Sequence, residues 1–339
     1  MSGTFSETEL AIEAANPTFL AVCPIRDLLF STSELPATDG RDEGALFAYS
    51  VDKWSGDLRL INRVFSGGMN PSFVDCDHTE ETVVTSNIRG GSVASFRIKP
   101  DGGLQGPSSV IEHETEGAGA HPRLQDAPHP HSIRFDPEGK FALACDRGSD
   151  RILIYQKEAE TARLMPHKPH AIVTAHGAGP RHCVFHPNSR AVYVLNELNS
   201  TVTIFRYDPD EGRMEETETA STLPEGFAGE NMTAEIEVSA CGRFLFCSNR
   251  GHNSIAMFRV RANGRQLKQL GHYSTHGDWP RTIRIDPTGS WLVAANERTS
   301  DAYVFRIDPD NGKLTSTGAP LTVINPTCVQ FFFQTSARE

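Results

Sequence analysis

The chain has 339 residues, 38% of them hydrophobic, and a formal net charge of -11. No apolar run approaches the ~18 residues of a helical membrane span, and the acidic balance, with no block rich in Lys or Arg, argues against a nucleic-acid or membrane partner. The length is sufficient for a large buried core.

The first residues, MSGTFSETELAIEAANP, carry two glutamates before the first leucine and no apolar stretch, so no secretion signal is read there. The seven cysteines are odd in number and irregularly spaced without CxxC, which predicts reduced thiols and a cytoplasmic location. From Asn16 onward a pattern repeats every ~50 residues. NPTFLAVCPIRDLLFSTSE, NPSFVDCDHTEETVVTSNI, PHSIRFDPEGKFALACDR, PRHCVFHPNSRAVYVLNE, TAEIEVSACGRFLFCSNR and PRTIRIDPTGSWLVAANE each read as a strand, a turn and a second strand ending near Asn or Asp. A third apolar-aromatic run, such as TVTIFRYD or DAYVFRID, and a Gly-containing turn follow. Short alternating runs between Gly, Pro, Asp and Asn turns indicate antiparallel hairpins, and four strands per unit make a propeller blade.

Unit starts near 17, 71, 130, 180, 233, 280 and 326 predict an all-β, seven-bladed propeller, with residues 1–339 a single domain. The seventh unit, opened by NPTCVQFFF, is expected to be incomplete. Its innermost strand is expected at Thr327 to Phe333, paired with the N-terminal TELAIEAA of residues 8–15, and its open edge makes a homo-oligomer possible. The insertion at 112–129 is a long loop, the kind that is functional or mobile.

In a propeller the first strand of each blade lines the axis. Thr18, Ser72, His131, Arg181, Ala234, Arg281 and Thr327 therefore form one axial column. A second column, at the end of the second strands, holds Glu34, Ile88, Arg147, Glu197, Arg250 and Glu297. His129 and His182 flank the first. An arginine-lined opening in an acidic protein predicts a small anionic substrate, since guanidinium forks match phosphate and carboxylate. The alternative for Arg281 with Glu297, and for Arg181 with Glu197, is a structural ion pair between neighbouring strand ends. His186, in FHPN, is read as a turn residue and His252 as solvent-facing. Thirteen histidines supply no third ligand at a recognised spacing beside PHPH, so neither metal nor cofactor is expected.

The blocks PHPHSIRFDPEGKFALACDRGSDRILIY, GAGPRHCVFHPNSRAVYVLNELNSTVTIF, GRFLFCSNRGHNSIAMF and PRTIRIDPTGSWLVAANERTSDAYVFRID resemble those of the lactonase family of seven-bladed propellers. This family is typified by bacterial 6-phosphogluconolactonases and has a fungal carboxy-cis,cis-muconate cyclising relative. The likeness runs from Asn16 to Phe333, although a strand pair that usually precedes the first Asn-Pro-Ser segment is missing. It implies a lactonase, with 6-phosphogluconolactone the foremost substrate, and a site of His131, Arg181, Glu197 and Arg250, with His129, Arg147, His182, Arg281 and Glu297 available to bind substrate. Either His131 or Glu197 can then serve as base or acid. A cycloisomerase or lactonase acting on a carboxylated ring, and a non-catalytic propeller that binds a metabolite or protein, are the competing readings.

Overall fold

The computed structural model describes residue 5 and residues 8–34, 44–114 and 119–332. Its regular structure is antiparallel strand apart from one 3-10 turn at Ala262–Gly264. Six sheets follow one another along the chain, each with four consecutive strands in up-and-down order, and in the sixth a short fifth strand, Leu321–Thr322, also pairs with the third, Asp301–Ile307. Their first strands are Pro17–Cys23, Pro71–Cys76, Pro130–Phe135, Pro180–Phe185, Met232–Val238 and Pro280–Ile285. Neighbouring first strands pack against one another in sequence around a common axis. The fold is an all-β propeller.

The strand period of two explains how the sheets stack. Adjacent residues of each second strand point to opposite faces, so Val83 packs into the core between the first and second sheets while Val84 packs between the second and third. Val192 and Tyr193 divide likewise between the third–fourth and fourth–fifth cores. Leu292 and Val293 repeat the division, but the face that Val293 enters is covered by Phe5, Leu321, Val329 and Phe331 rather than by another sheet. Fully burying one such side chain contributes about 1.5–3 kcal/mol, so these shared cores hold the ring together.

The turns joining first to second strands follow the predicted chemistry. Asp136 accepts hydrogen bonds from the backbone N–H of Lys140 (2.8 Å) and Phe141 (3.1 Å), and Gly139 takes the left-handed conformation the turn requires (φ 64°). His186 occupies the Asp position of the fourth sheet, and its Nδ1 accepts from the Asn188 N–H at 3.1 Å.

Two expectations differ from the structure. Cys23 and Cys76 form a disulfide, so the seven thiols are not all reduced. These cysteines end the first strands of neighbouring sheets and lie 53 residues apart, one repeat, a spacing that becomes proximity only after the repeats stack. The second difference concerns ring closure. The described residues contain six sheets, and the segment 325–332 forms no strand where the seventh is expected; Phe333 lies outside the described residues. Residues 8–15 form no strand either, and Leu10 is 77% exposed. The terminal segment nevertheless sits between the sixth and first sheets: Val329 and Phe331 pack on the sixth, Cys328 packs on the first, and the Gln330 amide donates to the Leu20 carbonyl at 3.0 Å. A strand needs a hydrogen-bonded ladder on at least one side, and here side-chain bonds to Leu20 stand in its place.

Candidate active site

The propeller carries the two charged columns to one end of the axis. Glu197, the residue after the second strand of the fourth sheet, is 2% exposed and is the hub. Its Oε1 accepts from Arg250 Nη2 at 2.6 Å, its Oε2 accepts from Arg147 Nη1 at 3.2 Å, and Arg181 Nε lies 3.7 Å from the same Oε2. Three guanidiniums from the third, fourth and fifth sheets thus share one carboxylate. Arg147, Arg181 and Arg250 are themselves buried. Burial works against the charge on Glu197, but Arg250, Arg147 and Arg181 outweigh it and hold the carboxyl far below the ordinary carboxylate range.

His131 stands in the same cluster. It is buried, and its Nδ1 has no hydrogen-bond partner among the described residues. Burial, then the charges of Arg181, His182, Arg147 and Arg281, push its pKa well below the ordinary histidine value. The imidazole is therefore neutral at neutral pH. Arg181 is drawn down to about 9 by burial and by Arg250. The Nε atoms of Arg147 and Arg181 are also buried without hydrogen-bond partners. Orphaned donors and an unprotonated imidazole together are suited to an anionic ligand and a proton to be removed.

The remaining candidates separate. Arg281 and Glu297 pair with each other at 3.2 Å within the sixth sheet, and each side chain is about one-quarter exposed. The sequence assigns this pair the same spacing as Arg181 and Glu197, yet only the earlier pair is drawn into the three-arginine hub. The charge of Arg281 still acts on His131, Arg181 and Arg250. His182 lies beneath His131, ring centroids 5.2 Å apart, edge-on to Phe19 and Phe73. Its Nδ1 bonds Glu235 at 2.7 Å, and burial pushes its pKa down to about 4 despite that carboxylate. His129 stands apart, one nitrogen at the Ile88 carbonyl and the other at Asp126, both 2.9 Å away. His252 is half-buried rather than solvent-facing, packed edge-on against Phe227 and His272.

Sequence reasoning missed several supporting residues. Gln125, from the 112–129 insertion, is buried beneath Arg147 and donates to its carbonyl (2.9 Å) and to Asp150 (2.7 Å). Asp146 accepts from the backbone N–H of His129, Gly148 and Ser149 and bonds His113 of the insertion at 2.7 Å. These contacts fix the turn that presents Arg147. Trp279 lies with its ring 5.3 Å from the Arg250 guanidinium carbon. A third charged column, Asp75, Arg134, Glu237 and Arg284, lies further along the first strands, with Arg284 and Glu237 paired at 2.7 Å. No group of three or more His, Cys, Asp or Glu side chains among the described residues is placed to hold a metal ion.

The chain's relatives bear on this arrangement. The family described as "Lactonase, 7-bladed beta-propeller" matches residues 1–331. A Bacillus subtilis protein named 6-phosphogluconolactonase is 36% identical over 329 residues, 97% of this chain and 91% of that protein. One of the same name from Formosa agariphila is 31% identical, covering 94% of this chain and 88% of its own length. Among solved structures, a periplasmic gluconolactonase from Pseudomonas aeruginosa superposes with a TM-score of 0.85 at 28% identity, covering 93% of this chain and 88% of that one. The chain belongs to the lactonase family of seven-bladed β-propellers.

Proposed function

We propose that this protein is a lactonase that hydrolyses 6-phosphogluconolactone to 6-phosphogluconate, with the axial arginine cluster as its active site. The observation that carries the mechanism is a neutral, buried His131 beside three arginines gathered on Glu197. The imidazole takes a proton from water as the water oxygen bonds to the lactone carbonyl carbon. Negative charge then develops on the carbonyl oxygen, where Arg181 or Arg250 stabilises it. The carbonyl re-forms, the bond to the ring oxygen breaks, and the imidazolium returns its proton to that oxygen. An imidazolium surrounded by cations is a strong acid, so this second transfer is favoured by the environment that keeps His131 neutral beforehand. Glu197 remains ionised throughout: its role is to gather the guanidiniums, and His131 takes the base role.

At this opening four guanidiniums (Arg147, Arg181, Arg250, Arg281) stand against two carboxylates (Glu197, Glu297), with Glu235 one layer deeper. The surplus of two positive charges matches a phosphorylated substrate better than a neutral sugar lactone. A phosphate ester does not cross membranes unaided, which favours the cytoplasm as the site of action. In the same reading residues 1–339 form one domain, the segment 325–332 with the N-terminal residues closes the ring at the seventh blade position, and a second copy covers the open edge there.

The test is His131→Gln. Loss of the base is expected to lower kcat about 10²- to 10⁴-fold with Tm retained. In the wild type, kcat/KM is expected to rise with pH through a pKa below the ordinary 6.5 and to be level from near neutrality upward. Wild-type turnover in the variant, or an acidic limb centred at or above 6.5, would remove His131 from this role.

A further inference from the structure

Before most of the repeat's opening prolines the backbone is left-handed; His129, before Pro130, is the exception. Asn16 (φ 42°), Asn70 (φ 53°), Gly179 (φ 62°) and Asn325 (φ 44°) all take the left-handed conformation there. Asn and Gly are the residues that adopt it at least cost. In the sixth sheet the same position holds Trp279, at φ 69°. A bulky residue in this conformation is an outlier, and outliers of this kind gather at ligand clamps.

The indole lies where the strain has a use. The guanidinium carbon of Arg250 is 5.3 Å from the Trp279 ring centroid, and that of Arg298 is 3.5 Å away. Arg298 is mostly exposed and paired with Asp278 at 3.7 Å. Arg250 spends Nη2 on Glu197 (2.6 Å) and the Thr233 carbonyl (2.7 Å), and Nε on the Met232 carbonyl (3.4 Å). Its Nη1 has no hydrogen-bond partner among the described residues. The turn carrying Trp279 is itself held: the Trp279 N–H donates to Asn253 Oδ1 at 3.0 Å, and the Asn253 amide donates to Asp278 at 2.8 Å.

We propose that Trp279 is a positioning residue of the anion site: its indole face holds the Arg250 guanidinium so that Nη1 is presented to a phosphate or carboxylate oxygen of the substrate. A π face attracts a cation without neutralising it. Arg250 is thereby oriented with no second carboxylate to compete with the substrate. The inference rests on the lactonase reading for its ligand, but the contact between Trp279 and Arg250 can be measured without turnover.

The experiment uses Trp279→Asn, which restores the residue the repeat favours and relieves the backbone. KM for 6-phosphogluconolactone is expected to rise roughly 3- to 30-fold, the range a cation–π contact spans, with Tm unchanged or raised. In an Arg250→Gln background the same substitution is expected to add little. A lowered Tm with unchanged KM, or effects of the two substitutions that simply multiply, would overturn the proposal. The Arg250 Nε–H resonance supplies the separate readout, since ring current displaces it while the indole is stacked. If Trp279→Asn leaves that resonance in place, the positioning role fails whatever the enzyme hydrolyses. If it moves while the wild type hydrolyses no lactone, the functional reading fails and the contact stands.

Discussion

Replacing Glu197 by Gln tests the hub on which the site is built. The exchange changes volume little but removes the charge shared by Arg250 at 2.6 Å, Arg147 at 3.2 Å and Arg181 at 3.7 Å. Breaking a buried ion pair from one side leaves uncompensated charge, which costs about 3–5 kcal/mol. Because three guanidiniums lose their common counter-charge, the expected loss lies in the upper part of that range. Urea unfolding at pH 7 should show it as a lowered midpoint at unchanged slope. The pH dependence follows from the sign of the shift. The Glu197 pKa is depressed in the folded protein, so its contribution is fully present above the ordinary value of 4.5 and is lost as pH falls toward the lower folded value. Wild-type stability should therefore decline below about pH 4.5, and the variant should lack this part of the decline. Activity should fall at least ~10²-fold because the arginines are no longer held in place. An unchanged urea midpoint would refute the hub, and so would an acid limb identical in the two proteins.

Arg181→Lys replaces a planar fork by a point charge. If Arg181 anchors the anionic group, KM rises with kcat nearly unchanged, whereas an equal fall in kcat and kcat/KM assigns it to the oxyanion; neither change would exclude it from the site. Val329→Asp places a charge where the terminal segment covers the sixth sheet, and thermal unfolding should register roughly 1–3 kcal/mol of destabilisation. An unaltered Tm would show that the segment does not close the ring.

The repeat made much of this architecture legible. One register, Pro followed by a polar residue and then alternating apolar positions, marks five of the six first strands, with Thr233 and Ala234 in its place in the fifth, and counting from it places Arg147, Arg181, Glu197 and Arg250 around one axis. The sequence could not reveal how the charges divide. Arg181 with Glu197 and Arg281 with Glu297 share a spacing, and only the packed structure shows that Arg147 and Arg250 approach the first pair. Glu197 is legible as acid, base or anchor from its residue type, and its three arginine partners are what the anchor reading proposed above rests on. Glu235 follows an alanine in the axial column and so carried no signal, although it bonds His182 at 2.7 Å. Trp279 precedes the repeat's first position, outside the columns being compared. The Cys23–Cys76 disulfide hides for the reason the site does: positions one repeat apart become neighbours when sheets stack. The seventh unit shows the converse limit. Asn325 and Pro326 repeat the opening of the first two units, with Asn325 again left-handed, but a local pattern cannot supply the neighbouring strand that a ladder needs.

The central claim is that the arginine cluster and His131 hydrolyse a phosphorylated sugar lactone. Its most direct test is kcat/KM of the purified protein for 6-phosphogluconolactone and for the unphosphorylated gluconolactone, measured side by side at neutral pH and corrected for spontaneous hydrolysis. The two-charge surplus predicts that both lactones are opened and that the phosphorylated one is preferred by at least ~10-fold, about the effect of one charge-assisted hydrogen bond. Equal or reversed preference would contradict the phosphate assignment, and hydrolysis of neither at rates above background would contradict the account.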